Sequence, residues 1–499
     1  MAEDAVDVIV VGAGNAALCA ALAAAQAGAR VKVLERAPQA ESGGNSRFTA
    51  GAFRCVYDGV DDLRALMPDL TDAEVESADF GTYTQGQFYD DLGRLTEYRT
   101  DPGLAELLVG RSRETMRWMQ RQGVRFMPIW GRQAYRIGGR FKFWGGLTVE
   151  AWGGGPGLVE TLYALARKAG VEIEFGVRAT GLLADDGGVR GVSVKRAGQS
   201  GEVRARAVAL ACGGFESDVE QRTRYLGPGW DLAKVRGTRF NTGDGIRMAL
   251  AAGAAPAGNW SGCHAVAWDR NAPDFGDLAV GDGFQKHSYP LGVMLNANGE
   301  RFVDEGADFR NYTYAKYGRA ILAQPGQFAW QVFDAKAAPL LRGEYRIKEA
   351  TRVRAETLEE LVGKLEDVDA ARALATLRAF NAAVQTTLPF DPNVKDGRGT
   401  VGLAVPKSNW ANPLDTPPFE AFAVTCGVTF TFGGLKIDAG ARVMDAEGAA
   451  IPGLYAAGEL VGGLFYNNYP GGSGLMAGAV FGKLAGAGAA AFARGPGGA

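Results

Sequence analysis

The sequence predicts an α/β fold: a Rossmann-type nucleotide-binding domain interrupted by an inserted α+β domain. Three observations predict it. The N-terminal stretch through Glu35 reads as one strand–helix–strand unit with a glycine motif at its first turn. Glycine loops of that kind recur in order to the end of the chain, and the 72 glycines are about twice the ~7% share of ordinary proteins. From about residue 263 to 428 the texture changes, with fewer such loops and more Arg, Tyr and Asp. The expected division is 1–262, an inserted domain at 263–428, and a return to the first domain at 429–499.

The elements follow in order. Residues 5–11 are a short continuous apolar run, as in a strand buried on both faces. Residues 15–28 are Ala/Leu-rich and helical, stopped by Gly28, and Val31–Glu35 is the second strand. Residues 60–125 carry mostly helical signals. Residues 128–157, with Trp130, Trp144 and Trp152, read as an irregular Gly/aromatic/Arg-rich stretch. A helix at about 157–169 and strands near 171–175, 189–195 and 203–211 follow. The last seventy or so residues hold short strands and glycine turns, a helix over 474–493 and a frayed tail at 495–499. No repeat of 20–50 residues is visible.

Composition excludes several classes. A net charge of −3 gives no electrostatic case for nucleic acid or an anionic membrane surface. Cys19, Cys55, Cys212, Cys263 and Cys426 are scattered, without C-x-x-C, so neither a disulfide framework nor a metal site is expected. A reducing cytoplasm suits such a chain, and the N-terminus lacks the basic region of a signal peptide. Residues 8–29 are apolar, but Gly12, Gly14, Asn15, Gln26 and Gly28 interrupt them, so no integral membrane segment is expected.

Gly12-Ala13-Gly14-Asn15-Ala16-Ala17 is a G-x-G-x-x-A between strand and helix. Gly12 permits the tight turn, Gly14 lets a pyrophosphate approach the backbone, and Ala17 lets helix and strand pack closely. The anion then faces the N–H groups of the helix start. Glu35 ends the second strand where a carboxylate binds a ribose hydroxyl, which argues against a 2′-phosphate.

The far end of the chain selects FAD over NAD. Gly458-Glu459 follows a strand and offers a carboxylate to ribityl hydroxyls, and Gly471-Gly472-Ser473-Gly474 opens the last helix toward the flavin pyrimidine edge. Gly43-Gly44-Asn45-Ser46, Ala211-Cys212-Gly213-Gly214 and Thr242-Gly243-Asp244-Gly245 lie between. The expected cofactor contacts are Gly12, Gly14, Asn15, Ala17, Glu35, Arg36, Gly44, Asn45, Ser46, Thr49, Gly51, Ala179, Ala211, Gly213, Gly214, Thr242, Asp244, Gly458, Glu459, Gly474 and Leu475. The expected nucleotide domain is a Rossmann-type FAD-binding one, similar to that of glutathione reductase.

These residues, with Gly43-Gly44-Asn45-Ser46-Arg47, Arg236-Gly237-Thr238-Arg239-Phe240-Asn241-Thr242 and Asp304-Glu305-Gly306-Ala307-Asp308-Phe309, carry a resemblance. Over nearly its whole length the chain resembles the fumarate reductase/succinate dehydrogenase flavoprotein superfamily, most like its FAD-dependent tricarballylate dehydrogenases. The resemblance implies an extended FAD, a capping domain at 263–428 closing over the isoalloxazine ring, and substrate between the two. Some relatives attach flavin through a histidine near the Gly-Gly-Asn loop. Here His264 and His287 are the only histidines and lie elsewhere, so non-covalent FAD is expected unless Cys55 or a tyrosine takes that role.

The resemblance also implies site residues. After Asn296-Ala297-Asn298-Gly299-Glu300-Arg301-Phe302 the family places a proton-exchanging arginine, and Arg310 fits if the loop is one residue longer. Arginine is a poor base, so Asp308 and Glu305 would have to help. His264 resembles a histidine that polarises a substrate carboxylate or carbonyl. The family's His-His-Thr-Met-Gly-Gly is Thr429-Phe430-Thr431-Phe432-Gly433-Gly434 here, and its final-loop arginine is replaced within Tyr466-Asn467-Asn468-Tyr469-Pro470. Replacement carboxylate clamps would come from Lys286, His287, Arg301, Arg47 or Arg54. Tyr466 and Tyr469 resemble tyrosines that assist enolisation in ketone desaturases.

The expected reaction removes hydrogen from a C–C bond beside a carboxylate or carbonyl: tricarballylate to cis-aconitate, with a separate electron-transfer protein passing electrons toward the quinone pool. The alternatives are a ketone desaturase of the 3-ketosteroid dehydrogenase type and an enoate reductase. The expected location is cytoplasmic, with peripheral association at the inner membrane face. A disulfide reductase would need a second G-x-G-x-x-G and a redox cysteine pair, and a pure electron carrier would need no large polar, aromatic cap.

Overall fold

The computed structural model describes residues 6–144, 146–185 and 187–495. The expected tail beyond Gly495 and the first five residues lie outside the described residues.

Strand β1 (Val6–Val11), helix α1 (Asn15–Gln26) and β2 (Val31–Glu35) form the predicted unit, the two strands pairing in parallel from Val8↔Val31 to Val11↔Leu34. Helix α2 (Gly154–Lys168) leads to β3 (Glu172–Phe175) at the sheet edge beyond β2. Strands β4 (Val177–Asp185), β5 (Gly188–Arg196) and β6 (Gln199–Leu210) then make an antiparallel meander. The second half of β6 re-enters the parallel sheet beside β1. The expectation missed β4, whose residues alternate too weakly between buried and exposed to show a period.

Residues 128–157 are not irregular. Ala134–Ile137 and Arg140–Phe143 form a hairpin, and Val149–Ala151 pairs with two further short strands. Gly138 and Gly139, with φ of 58° and 86°, make the two-residue turn that a right-twisted hairpin prefers.

The inserted region is built on a second sheet. It contains β7 (Pro256–Asp269), β8 (Val293–Leu295), helix α3 (Arg310–Leu322), β9 (Phe328–Phe333), β10 (Arg352–Ala355) and the 17-residue β11 (Phe419–Leu435). β11 is central, antiparallel to β7, β9 and β10. Its ladder with β7 runs from Pro256↔Leu435 to Asp269↔Val424, with irregularities at Asn259/Cys263 and His264/Ala265. The boundaries placed near 263 and 428 therefore fall inside one pair of strands, which both the cap and the nucleotide domain share. The cap has its own core of Val293, Leu295, Trp330, Leu361, Leu377 and Phe380.

β12 (Ala450–Ala456) returns to the first sheet beside β6, giving the parallel order β3–β2–β1–β6–β12. The chain ends in α4 (Ser473–Arg494). This helix is apolar and long enough to cross a membrane, yet it packs as a core helix on α1. The seam is made by glycines. A Cβ on Gly482 would stand 2.4 Å from Ala16 O, and one on Gly486 would stand 2.0 Å from Ala20 O. Only a bare backbone permits that approach, which is why α4 is so rich in small residues.

Candidate active site

One elongated cavity runs from the ends of β2 and β6, past the first turn of α1, to the first turn of α4 and the underside of the cap. Its nucleotide half is a backbone cradle. Gly12 has φ 105°, and a Cβ there would lie 2.4 Å from Ala211 O. A Cβ on Gly14 would meet Ser46 Oγ at 3.3 Å. Ser46 Oγ accepts from Asn15 N at 3.0 Å, joining the 44–48 turn to the helix start. Glu35 lines the cavity, buried, with Ala37 N donating to it at 2.7 Å. Burial raises its carboxyl while that N–H opposes the shift. Arg36 and Arg178 both engage Asp244, the first at 3.1 Å and the second through two bonds of 2.8 Å.

The helix starts of α1 and α4 both face this strip, the sites where anionic groups are favoured. The donor set and the bare glycines fit an extended FAD. Of the expected contacts, Gly12, Gly14, Asn15, Glu35, Arg36, Gly44, Asn45, Ser46, Thr49, Ala179, Ala211, Gly213, Asp244, Gly458, Glu459, Gly474 and Leu475 line the cavity. Ala17, Gly51, Gly214 and Thr242 stand behind it. Thr242 holds Arg36, and a Cβ on Gly214 would strike Glu459 Oε1 at 2.2 Å. Cys55 lies outside the cavity, with its thiol pushed up to about 12 by burial.

Glu216, absent from the expectations, organises this region. Its Oε1 accepts from Asn45 Nδ2 and Asn241 Nδ2, each at 2.6 Å. Burial and the neighbouring Glu216 hold the Glu459 carboxyl well above the usual carboxylate range. The two carboxyls hydrogen-bond to each other, which favours one shared proton between Glu459 and Glu216.

The cap half is aromatic. His264 sits where the β7–β11 ladder is irregular, at 4.8 Å between ring centroids from Tyr314, 4.7 Å from Tyr469 and 5.2 Å from Phe430. The Tyr314 and Tyr469 hydroxyls hydrogen-bond to each other. His287 lies 4.9 Å from the Tyr314 ring. Burial, reinforced by nearby guanidiniums, drives both imidazoles well below their ordinary value, so both are neutral. Neither nitrogen of His264 has a protein partner, nor does Nε2 of His287.

Arg310 opens α3, a position that the helix dipole disfavours for a cation. Phe309 stacked on Trp144, with centroids 4.5 Å apart, fixes that helix start. The guanidinium donates to Arg132 O at 3.2 and 2.6 Å and lies 3.4 Å from His287 Nδ1. The expected helpers are elsewhere: Asp308 pairs with Arg94 at 2.7 Å, and Glu305 pairs with Arg301. Arg132 and Arg236, two cavity residues the sequence did not reveal, are both spent on Asp282, at 2.6 and 2.8 Å.

The other expected clamps are not in the cavity. Lys286 is fully buried, with Nζ on the carbonyls of Gly283, Phe284 and Gln285. Arg301 is held by Glu305 and Val405 O, Arg47 by Glu160, and Arg54 by Gly471 O and Tyr83. In each case carbonyls or carboxylates of the protein already satisfy the charge. Tyr466 forms a bridge with Asn468 and leaves the cavity to Tyr469.

Residues 7–475 match the family model described as an FAD binding domain. The chain is 28% identical over 496 residues to a fumarate reductase (cytochrome) of Shewanella frigidimarina, covering 99% of this chain and 78% of that one. It is 27% identical over 558 residues to a 3-oxosteroid 1-dehydrogenase of Mycobacterium tuberculosis, covering 96% and 97%. The open conformation of a flavocytochrome c3 fumarate reductase superposes with a TM-score of 0.73 at 27% identity, over 98% of this chain and 79% of that one.

Proposed function

From the premise that the chain belongs to the FAD-binding domain family and is an FAD-dependent oxidoreductase acting on CH–CH groups, we propose that it reduces the C=C bond of an α,β-unsaturated ketone or monocarboxylic acid. The observation that carries the reading is the Tyr314–Tyr469 hydroxyl pair beside neutral His264. Arg310 stands with it as the single cavity arginine, among the described residues, that has no carboxylate partner.

FAD, when bound, supplies hydride chemistry at the substrate carbon. The rest falls to the chain. One tyrosine hydroxyl donates to the other, so the second keeps its hydrogen for the substrate. Burial raises both phenols, which keeps them protonated until one gives its proton to the carbon beside the carbonyl, and the nearby Arg236 and Arg310 guanidiniums stabilise the phenolate left behind. Arg310 and His287 hold the substrate oxygen as its charge grows. Phe430, Phe465, Leu147 and Ile129 line the same space and exclude water. Electrons reach the flavin from a separate redox partner.

The tricarballylate reading asks for partners to three carboxylates. Arg310 supplies one, while Lys286 and Arg301 are committed elsewhere, and an unpaired carboxylate in a closed site is costly. A ketone or a single carboxylate needs no more than the site offers. The test incubates holoenzyme and reduced viologen with enones, monocarboxylic enoates, fumarate and cis-aconitate, and identifies products by mass. Saturated products from the first two classes are expected. Conversion of cis-aconitate alone would overturn the proposal.

A further inference from the structure

Gln133 closes the short helical turn Trp130–Gln133 that lies under the cap. It is fully buried and lines the same cavity as Arg310, His264 and Tyr314. Its Oε1 and Nε2 both lack a protein partner. The backbone around it is held firmly. Gln133 N donates to Ile129 O at 3.3 Å, and Tyr135 N donates to Asn393 Oδ1 at 3.2 Å. The preceding Arg132 is locked to Asp282 by its side chain and to Arg310 by its carbonyl. The amide therefore sits on the segment that also seats the substrate anchor.

A buried amide left without partners is expensive, and a protein that keeps one in a binding cavity gains from it only when a ligand matches it. The match is chemically restrictive. A carboxylate or ketone would satisfy Nε2 and leave Oε1 unmet, and an ammonium group would do the reverse. A hydroxyl donates and accepts at once, as would the imide edge of a flavin; unchanged flavin content in Gln133→Leu is the result that assigns the amide to the substrate. We propose that Gln133 is a specificity-determining residue that reads a hydroxyl on the substrate, separate from the carbonyl that Arg310 anchors. This rests on the enone or enoate reading above and narrows it to hydroxylated substrates. The aromatic lining of Phe430, Phe465 and Tyr469 suits a ring as the frame carrying that hydroxyl.

The probes are cinnamate and its three monohydroxy isomers, and benzylideneacetone with its ring-hydroxylated isomers. Each is titrated into oxidised holoenzyme and followed by the change in flavin absorbance, on wild type, Gln133→Leu and Gln133→Glu. Flavin content and Tm report folding of the variants. In wild type, one hydroxy isomer should bind about 10- to 100-fold more tightly than its parent, the range expected for a matched buried hydrogen-bonding group. Gln133→Leu should abolish that preference while the parent binds at least as well as before. Gln133→Glu, which keeps the shape and offers only acceptors when ionised, should fall between. Equal binding of every hydroxy isomer and its parent to wild type, or an unchanged preference in Gln133→Leu, would overturn the inference and leave the reaction class standing. Failure of all probes to bind wild type would overturn the inference, and turnover of non-aromatic enones and enoates in the assay above then decides the reaction class separately.

Discussion

Arg310 Nη1 lies 3.4 Å from His287 Nδ1, and no carboxylate among the described residues comes within ion-pair distance of that guanidinium. Burial and the positive neighbours Arg342 and Arg132 both weigh against its charge. A cation kept in such a place awaits an anionic or enolate-forming ligand. Arg310→Ala should retain FAD, since no expected flavin contact is lost, and lower kcat/KM by about 100-fold or more. Arg310→Lys should recover part of it. Steady-state kinetics with flavin quantitation decide the point, and wild-type turnover in Arg310→Ala would remove the residue from the mechanism.

The hydroxyl pair gives a separate prediction. Tyr469→Phe should lower kcat by about 10²-fold, the usual worth of a positioned general acid, with KM little changed. Tyr314→Phe removes the partner and should cost less. Equal kcat in Tyr469→Phe and wild type would assign the proton elsewhere.

Lys286 supplies a negative control. Its Nζ faces backbone carbonyls rather than the cavity, so Lys286→Met should leave substrate KM unchanged within about threefold. A large rise in KM would restore it as a clamp.

Both histidines are held neutral, so the unfolded chain binds more protons than the folded one once pH falls below about 6.5. Their folded values are lowered, so stability is full above the unfolded value and declines as pH drops beneath it. Each contributes at most about 1.4 kcal/mol per pH unit there. Urea unfolding of the protein between pH 7.5 and 5.5 should show that slope, and a His264→Gln, His287→Gln double variant should flatten it.

At the α1–α4 seam, Gly482→Leu forces a Cβ against Ala16 O at 2.4 Å. A loss of about 1–3 kcal/mol is expected, with weakened FAD retention because α1 carries the pyrophosphate turn. Thermal melts with and without added FAD measure both.

The nucleotide half was legible because its chemistry is written in the backbone. Gly12, Gly14 and Glu35 follow from a turn, a close approach and a strand end, all local in sequence. Arg310 entered only through the family resemblance, which places an arginine after the Asn296–Phe302 segment, and it does line the cavity. Asp282, Arg236, Gln133 and Tyr314 were not, because topology alone brings them together; Asp282 meets Arg132 across 150 residues. Lys286 misled for a simple reason. Adjacent residues of an extended segment face opposite sides, so His287 points into the cavity and Lys286 into the carbonyls behind it. The hairpin at 134–143 hid among aromatic and Arg residues that looked irregular, although Gly138-Gly139 marked its turn.

The most direct measurement is anaerobic stopped-flow mixing of the reduced holoenzyme with an enone, a monocarboxylic enoate, fumarate and cis-aconitate, following return of the oxidised flavin band. Rapid reoxidation by the enone or the monocarboxylic enoate, with cis-aconitate at least about 100-fold slower, is the predicted result. Reoxidation by cis-aconitate as fast as by either would contradict a site with one guanidinium free of a carboxylate partner and a tyrosine proton donor.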